Sequence, residues 1–271
     1  MKVNCHLHTN ESDGELSPRD VVENAIERGL THICFTDHFK IPAEIKDYGN
    51  DRLHSDGYYE ELESLRIEFV DRIEILIGVE LDWIDGHGEW IEERIRERDY
   101  DFILGSVHWV QNSGGGFERP HFPKNDIGDF DSEEEFVRVY LAEVKKMICW
   151  GVVDSVAHFD FFRLRLFGED VLRSDWYKEE VLGILELMRE KGLALEINCA
   201  GFRSVGEQFP QRWVVGEAIR MGIGVTLGND FHKLEFGELD EGISEAVEML
   251  REVGCSEISV FRGREAVKLK I

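Results

Sequence analysis

His6-Leu7-His8 places two imidazoles two residues apart. In an extended segment that spacing turns both rings to one face and Leu7 to the other, as two ligands of one metal ion require. Asp230-Phe231-His232 repeats the spacing near the other end of the chain, so a fold that joins its first and last strands would make the two pairs converge. His38, Glu80, His108 and His158 complete a set of six histidines and two acids, each at or just past the C-terminal end of an expected strand. Imidazole with carboxylate suits Zn²⁺, Mn²⁺ or Fe²⁺, and the two oxygens of Glu80 can bridge two ions. One histidine at a strand end is more often a polar residue satisfied by its neighbours, but that explanation weakens for a whole set.

The elements that must hold these residues alternate. Apolar, β-rich segments at 3–7, 32–36, 73–79, 102–107, 153–157, 193–197, 223–228 and 257–261 are separated by helical ones. Ser17 can cap the first helix, Pro18 suits its first position, Val21, Val22, Ala25 and Ile26 form its apolar face, and Gly29 ends it. Further amphipathic helices read at 57–70, 88–98, 132–150, 175–191, 211–221 and 240–253, most of them stopping near a glycine such as Gly151, Gly192, Gly222 or Gly254. Ligands of an open doubly wound sheet gather at one switch point, whereas polar residues here close nearly every strand, which favours an α/β barrel. No linker, low-complexity tract or repeat divides the sequence, so residues 1–271 are expected to form a single domain. The segment 110–131, with Gly114-Gly115-Gly116, lacks periodicity and reads equally as a lid or as an ordinary long surface loop.

Lys plus Arg is 31 against 56 Asp plus Glu, a net charge of −25. Such a surplus disfavours extended nucleic-acid binding. A small anionic substrate remains compatible with it, because charges more than about 8–10 Å away are largely screened and bound cations would dominate locally. There is no long apolar run and no charged start leading into an apolar stretch, so a soluble, cytoplasmic protein without a membrane partner is expected. Cys5, Cys34, Cys149, Cys199 and Cys255 are widely spaced and read as reduced thiols. His32, His54, His87 and His121 are left as structural residues, His87 and His121 with a place on the rim. Trp83 and Trp109 lie near candidate ligands and could pack on a substrate, although core packing is the commoner role.

Six ordered motifs carry a resemblance: His6-Leu7-His8-Thr9 with Ser12-Asp13-Gly14, Thr36-Asp37-His38, Gly78-Val79-Glu80, Gly105-Ser106-Val107-His108, Ala157-His158-Phe159-Asp160, and Gly228-Asn229-Asp230-Phe231-His232. From residue 3 to about 235 the chain resembles the polymerase and histidinol phosphatase (PHP) superfamily, and Tyr100 to His108 is similar to its histidinol-phosphatase branch. The resemblance implies a distorted seven-stranded (β/α) barrel, TIM-like in plan, holding three divalent ions. His6, His8, Glu80 and Asp230 would hold the first, Glu80, His108 and His158 the second, and Asp13, His38 and His232 the third. Some relatives carry His at the Asp13 position, which bears on metal preference. Glu80, Asp230 and His232 would be catalytic as well as ligating.

The same branch implies an Arg after the sixth strand, here Arg203, and another after the His158 motif, where Arg163 and Arg165 both stand, on the substrate phosphate; the role of Asn198 stays open. The implied activity is hydrolysis of L-histidinol phosphate to L-histidinol and phosphate in histidine biosynthesis. A hydroxide shared by two ions would be the nucleophile, and the group that protonates the leaving alkoxide is not legible. Another PHP phosphoesterase acting on a small phosphate or a nucleotide end, and a catalytically silent metal-binding scaffold, remain as alternatives. An amidohydrolase-type barrel is disfavoured, since it typically uses a bridging Lys where this chain has Glu80. The oligomeric state is left open.

Overall fold

The computed structural model describes residues 2–39 and 55–271, so the expectation for His54 lies outside the described residues. Seven strands run parallel in chain order: β1 (Val3–Asn4), β2 (His32–Phe35), β3 (Glu74–Asp82), β4 (Phe102–Ser106), β5 (Ser155–Val156), β6 (Ala194–Asn198) and β7 (Val225–Gly228). The ring nearly closes where the Cys5 amide donates to the Leu227 carbonyl at 2.8 Å and Leu7 bridges to Phe231. Almost every strand residue is buried, as expected when helices cover the outside of a parallel sheet. β3 runs on to Asp82, so Glu80 lies within the strand rather than beyond its end.

The covering helices begin where the sequence marks them. Ser17, Ser55, Ser132 and Ser174 each accept a hydrogen bond from a backbone amide three residues on, capping the helices Pro18–Glu27, Asp56–Glu68, Glu133–Trp150 and Asp175–Lys191. Gly151 and Gly192 end the last two in the left-handed conformation, which costs a Cβ-bearing residue more. Among the described residues no helix is long and apolar enough to cross a membrane.

One of the eight expected strands lies outside the barrel, whose seven strands are the number the resemblance implies. Residues 257–261 fall in β8 (Glu257–Arg262), which pairs antiparallel with β9 (Glu265–Lys270) outside the seven-stranded sheet. The cause is local: Gly263 and Arg264 both adopt positive φ, 54° and 70°, the geometry of a two-residue hairpin turn, so the chain folds back before any crossover to a parallel partner. This hairpin lies across the N-terminal ends of the barrel strands. Arg262 meets Glu74 at 2.7 Å, the Gly263 amide donates to Asp101 at 3.0 Å, Arg264 meets Asp154 at 2.5 Å, and Phe261 stacks on Phe102 at 5.1 Å between centroids.

At the opposite end, segment 110–131 carries a short antiparallel pair, Val110–Gln111 with Phe117–Glu118. Arg165, from the turn Phe161–Arg165, is 1 % exposed and anchors this segment. It donates to the Arg119 carbonyl at 2.8 Å, to Glu118 at 3.0 Å and to the Asp126 carbonyl. The guanidinium named as a candidate phosphate contact is thus engaged in the interior, holding the segment in place. Arg165→Met should destabilise the protein by ~1–3 kcal/mol, the loss of hydrogen bonds made by a buried charged group to half-buried and exposed partners. It should also open 110–131 to proteolysis. Wild-type urea unfolding together with wild-type proteolytic resistance would show that Arg165 is no clamp.

Candidate metal centre

The ends of β1 and β7 bring together the two pairs that the sequence separates by more than two hundred residues. His6 Nε2 and His8 Nε2 lie 3.1 Å apart, and each is 3.3 Å from Asp230 Oδ1 and 3.4 Å from Glu80 Oε2. Donors about 2.0–2.2 Å from a tetrahedral ion stand about 3.3–3.6 Å from one another, so these spacings suit one such ion. The other oxygen of Glu80 faces a second group. Oε1 is 3.1 Å from His158 Nε2 and 3.5 Å from His108 Nε2, and the two nitrogens are 3.2 Å apart. An ion held by these three donors would keep a coordination position for water or substrate, the pattern of a catalytic rather than a purely structural metal site.

His38 turns Nδ1 to Glu80 Oε2 at 2.9 Å and Nε2 to Asp13 Oδ1 at 3.7 Å, while His232 Nε2 stands 3.2 Å from the same Asp13 oxygen. His8, Asp13, His38 and His232 can each offer one donor atom within 4.8 Å of the others. All nine candidate ligands are therefore brought into one cluster. Their lone pairs point at one another, an arrangement that only protons or cations can stabilise. The donor set fits divalent metal ions.

Carboxylates to which the sequence assigned no role orient these ligands. His108 Nδ1 is 2.5 Å from Asp82 Oδ1, which fixes the ring so that Nε2 faces the cluster. Glu196 takes the equivalent place behind His6, 2.6 Å from Nδ1. Buried Asp37 accepts from the Thr9 amide at 2.7 Å, the Thr9 hydroxyl at 2.9 Å, Ser12 at 2.6 Å and Tyr58 at 2.5 Å, and so holds the turn that presents Asp13. The signal for Asp82 was its position two residues past Glu80, on the same face of β3. For Glu196 it was an acid in an otherwise apolar strand. Asn198 joins this supporting layer, accepting from the Ala200 amide at 3.0 Å and donating to Glu196 at 3.1 Å.

His121, expected only on the rim, lands against the cluster. Its ring stacks on Phe161 at 4.5 Å and meets His108 edge-on at 5.7 Å. Trp83 and Trp109 are both buried, and Trp83 donates to Glu143 at 2.9 Å, away from any role on the rim. The three arginines are not brought together. Arg165 is interior, and Arg163 meets Glu207 at 2.6 Å and Asp160 at 3.4 Å. Arg203 is exposed on the short helix Ala200–Ser204 that follows β6.

The charge distribution of the cluster follows from crowding. Burial opposes charge on His6, yet Glu196, Asp230 and Glu80 hold its pKa well above the usual histidine value. Burial also opposes charge on His38, but Glu80 and Asp13 push it up to about 10. His8 goes the other way, lowered to about 4 by burial and by repulsion from His232 and His38. Against burial, the imidazoles keep Glu80 and Asp230 well below the carboxylate range. In the metal-free protein, protons occupy places suited to cations.

Residues 4–200 match the PHP domain family. The chain belongs to that family. It is 30% identical over 267 residues to a probable histidinol-phosphatase of Deinococcus radiodurans, with 96% of both chains covered. Its fold superposes with a TM-score of 0.80 and 29% identity on the Lactococcus lactis histidinol phosphate phosphatase solved with zinc, L-histidinol and phosphate, covering 98% of this chain and 99% of that one. A solved Listeria monocytogenes protein, at 22% identity and a TM-score of 0.76, shares the fold over 87% of this chain and 97% of its own.

Because His38, with a pKa of about 10, is protonated at neutral pH and must be neutral to bind a metal, zinc binding should release at least one proton per chain at pH 7. Affinity should rise with pH up to about 10 through this group and fall as acid restores the imidazolium. Calorimetry in buffers of different ionisation enthalpy counts the protons; a count of zero would contradict this charge distribution.

Proposed function

We propose that this protein is a metal-dependent phosphomonoesterase that hydrolyses L-histidinol phosphate to L-histidinol and inorganic phosphate, a step of histidine biosynthesis carried out in the cytoplasm. The observation that carries the reading is the shared carboxylate: Glu80 puts one oxygen among His6, His8 and Asp230 and the other between His108 and His158. The substrate follows from similarity along nearly the whole chain to the Lactococcus lactis enzyme solved with L-histidinol and phosphate.

Three ions, zinc, manganese or iron, would be held by His6, His8, Glu80 and Asp230, by Glu80, His108 and His158, and by Asp13, His38 and His232. Such ions, when bound, polarise a phosphoryl oxygen and bring the pKa of water toward ~7, supplying a nucleophile at neutral pH. The chain's own contribution is orientation. Asp82 and Glu196 set the rings of His108 and His6, and Asp37 fixes the turn that carries Asp13. Among the described residues Arg203 has no ion-pair or hydrogen-bond partner, so its guanidinium is available to the substrate's phosphate, where it can hold two oxygens in one plane. Arg163 is already turned toward Glu207.

The direct test is phosphate release from L-histidinol phosphate with added Mn²⁺ or Zn²⁺, before and after chelation. Activity that is metal-dependent and specific for this ester is expected. Turnover of other small phosphates or nucleotides alone would assign the site to another PHP phosphoesterase, and no turnover of any ester would leave a metal-binding scaffold. Arg203→Ala should lower kcat/KM by about 10- to 200-fold, from ~1.5–3 kcal/mol for a hydrogen bond to a charged group. Metal content should not change, and Arg203→Lys should recover only part of the loss. Wild-type kinetics for Arg203→Ala would remove this residue from the site.

A further inference from the structure

Glu196 is 1 % exposed in β6, and both of its oxygens are already engaged. Oε1 lies 2.6 Å from His6 Nδ1, while Oε2 accepts from the His158 backbone amide at 2.7 Å and from Asn198 Nδ2 at 3.1 Å. His6 belongs to the first donor set and His158 to the second, and His158 is held at a φ of 24°, which a residue other than glycine rarely adopts.

We propose that Glu196 is a positioning residue that serves two metal sites at once without binding a metal, an inference that rests on the multinuclear reading of the cluster. One oxygen keeps the His6 proton on Nδ1, so the Nε2 lone pair faces the first site. The other holds the peptide of His158 in its left-handed turn, which aims that ring at the second. The chemistry demands a carboxylate. A glutamine can accept on only one of its two terminal atoms, and an aspartate is one methylene short of spanning both partners. Gly228 shows how tightly the pair is packed, since a Cβ there would stand 2.4 Å from His6 Cβ and 2.9 Å from Glu196 Oε1.

The test compares wild-type protein with Glu196→Gln, both stripped of metal and reloaded with Zn²⁺ or Co²⁺. The substitution should weaken binding by about 10- to 100-fold in chelator competition, the usual effect of losing an outer hydrogen bond to a ligand. It should also alter the Co²⁺ visible spectrum, which reports ligand geometry and would not respond to a purely structural role, and excess metal should restore part of kcat. Independently of the variant's folding, ¹⁵N-resolved NMR of the zinc-loaded wild type should show His6 protonated on Nδ1. Wild-type affinity and spectrum in Glu196→Gln would overturn the proposal while leaving the metal centre intact, and an Nε2-protonated His6 would overturn it together with the place of His6 in the first donor set. Failure of the wild type to bind metal at all would overturn both.

Discussion

Like-natured lone pairs forced into one buried space are the constraint on which this molecule turns. His6, His8, His108 and His158 point nitrogens at each other across 3.1–3.2 Å, with the carboxylate oxygens of Glu80 among them. Hydrocarbon packing alone could not hold such a cluster, because each polar atom removed from water without a partner costs free energy comparable to a lost hydrogen bond. Cations convert the liability into a binding site. The barrel's packing must therefore be stiff enough to keep the cluster assembled, and the surrounding carboxylates must hold each ring so that the nitrogen bearing its lone pair faces inward.

The barrel meets that demand with little backbone. β1 and β5 are two residues each in the ladder, and the site continues past their ends in segments tied down by side chains and by isolated backbone bonds. Asp37 binds the turn of Asp13, Glu196 binds the peptide of His158, and the Asp230 amide, itself in a left-handed residue, donates to the His6 carbonyl at 3.0 Å. Buried acids are thus used twice over, as ligands and as staples. This explains why a protein with so large a negative charge can place several of its carboxylates in the interior without repelling itself apart.

Ligand chemistry and architecture were legible because both are periodic. His-x-His and Asp-x-His read as pairs on one face, and the alternation of apolar strands with helices, the first capped by Ser17, reads as a barrel. What was not legible depends on distant partners. The placing of Asp82 and Glu196 inside expected strands marks them as buried acids but does not say which histidine each one holds, and Arg165 and Arg163 are told apart only when one is seen inside segment 117–126 and the other against Glu207. Residues 257–261 have the composition of a barrel strand; their true pairing was written in the two-residue turn at Gly263-Arg264, which sets direction rather than hydrophobicity.

That hairpin also decides the traffic through the protein. Lying across the N-terminal ends of β3, β4, β5 and β7, it seals the floor of a barrel whose centre is already filled by side chains. Among the described residues the donor cluster lies at the other end, past the C-terminal ends of the strands, so substrate and products share that side. An ester entering there meets the alcohol and the phosphate of the previous cycle on their way out, so either product lingering at the threshold occupies the place of the next substrate. The catalytic cycle of such a vessel is ordered by vacating as much as by bond breaking.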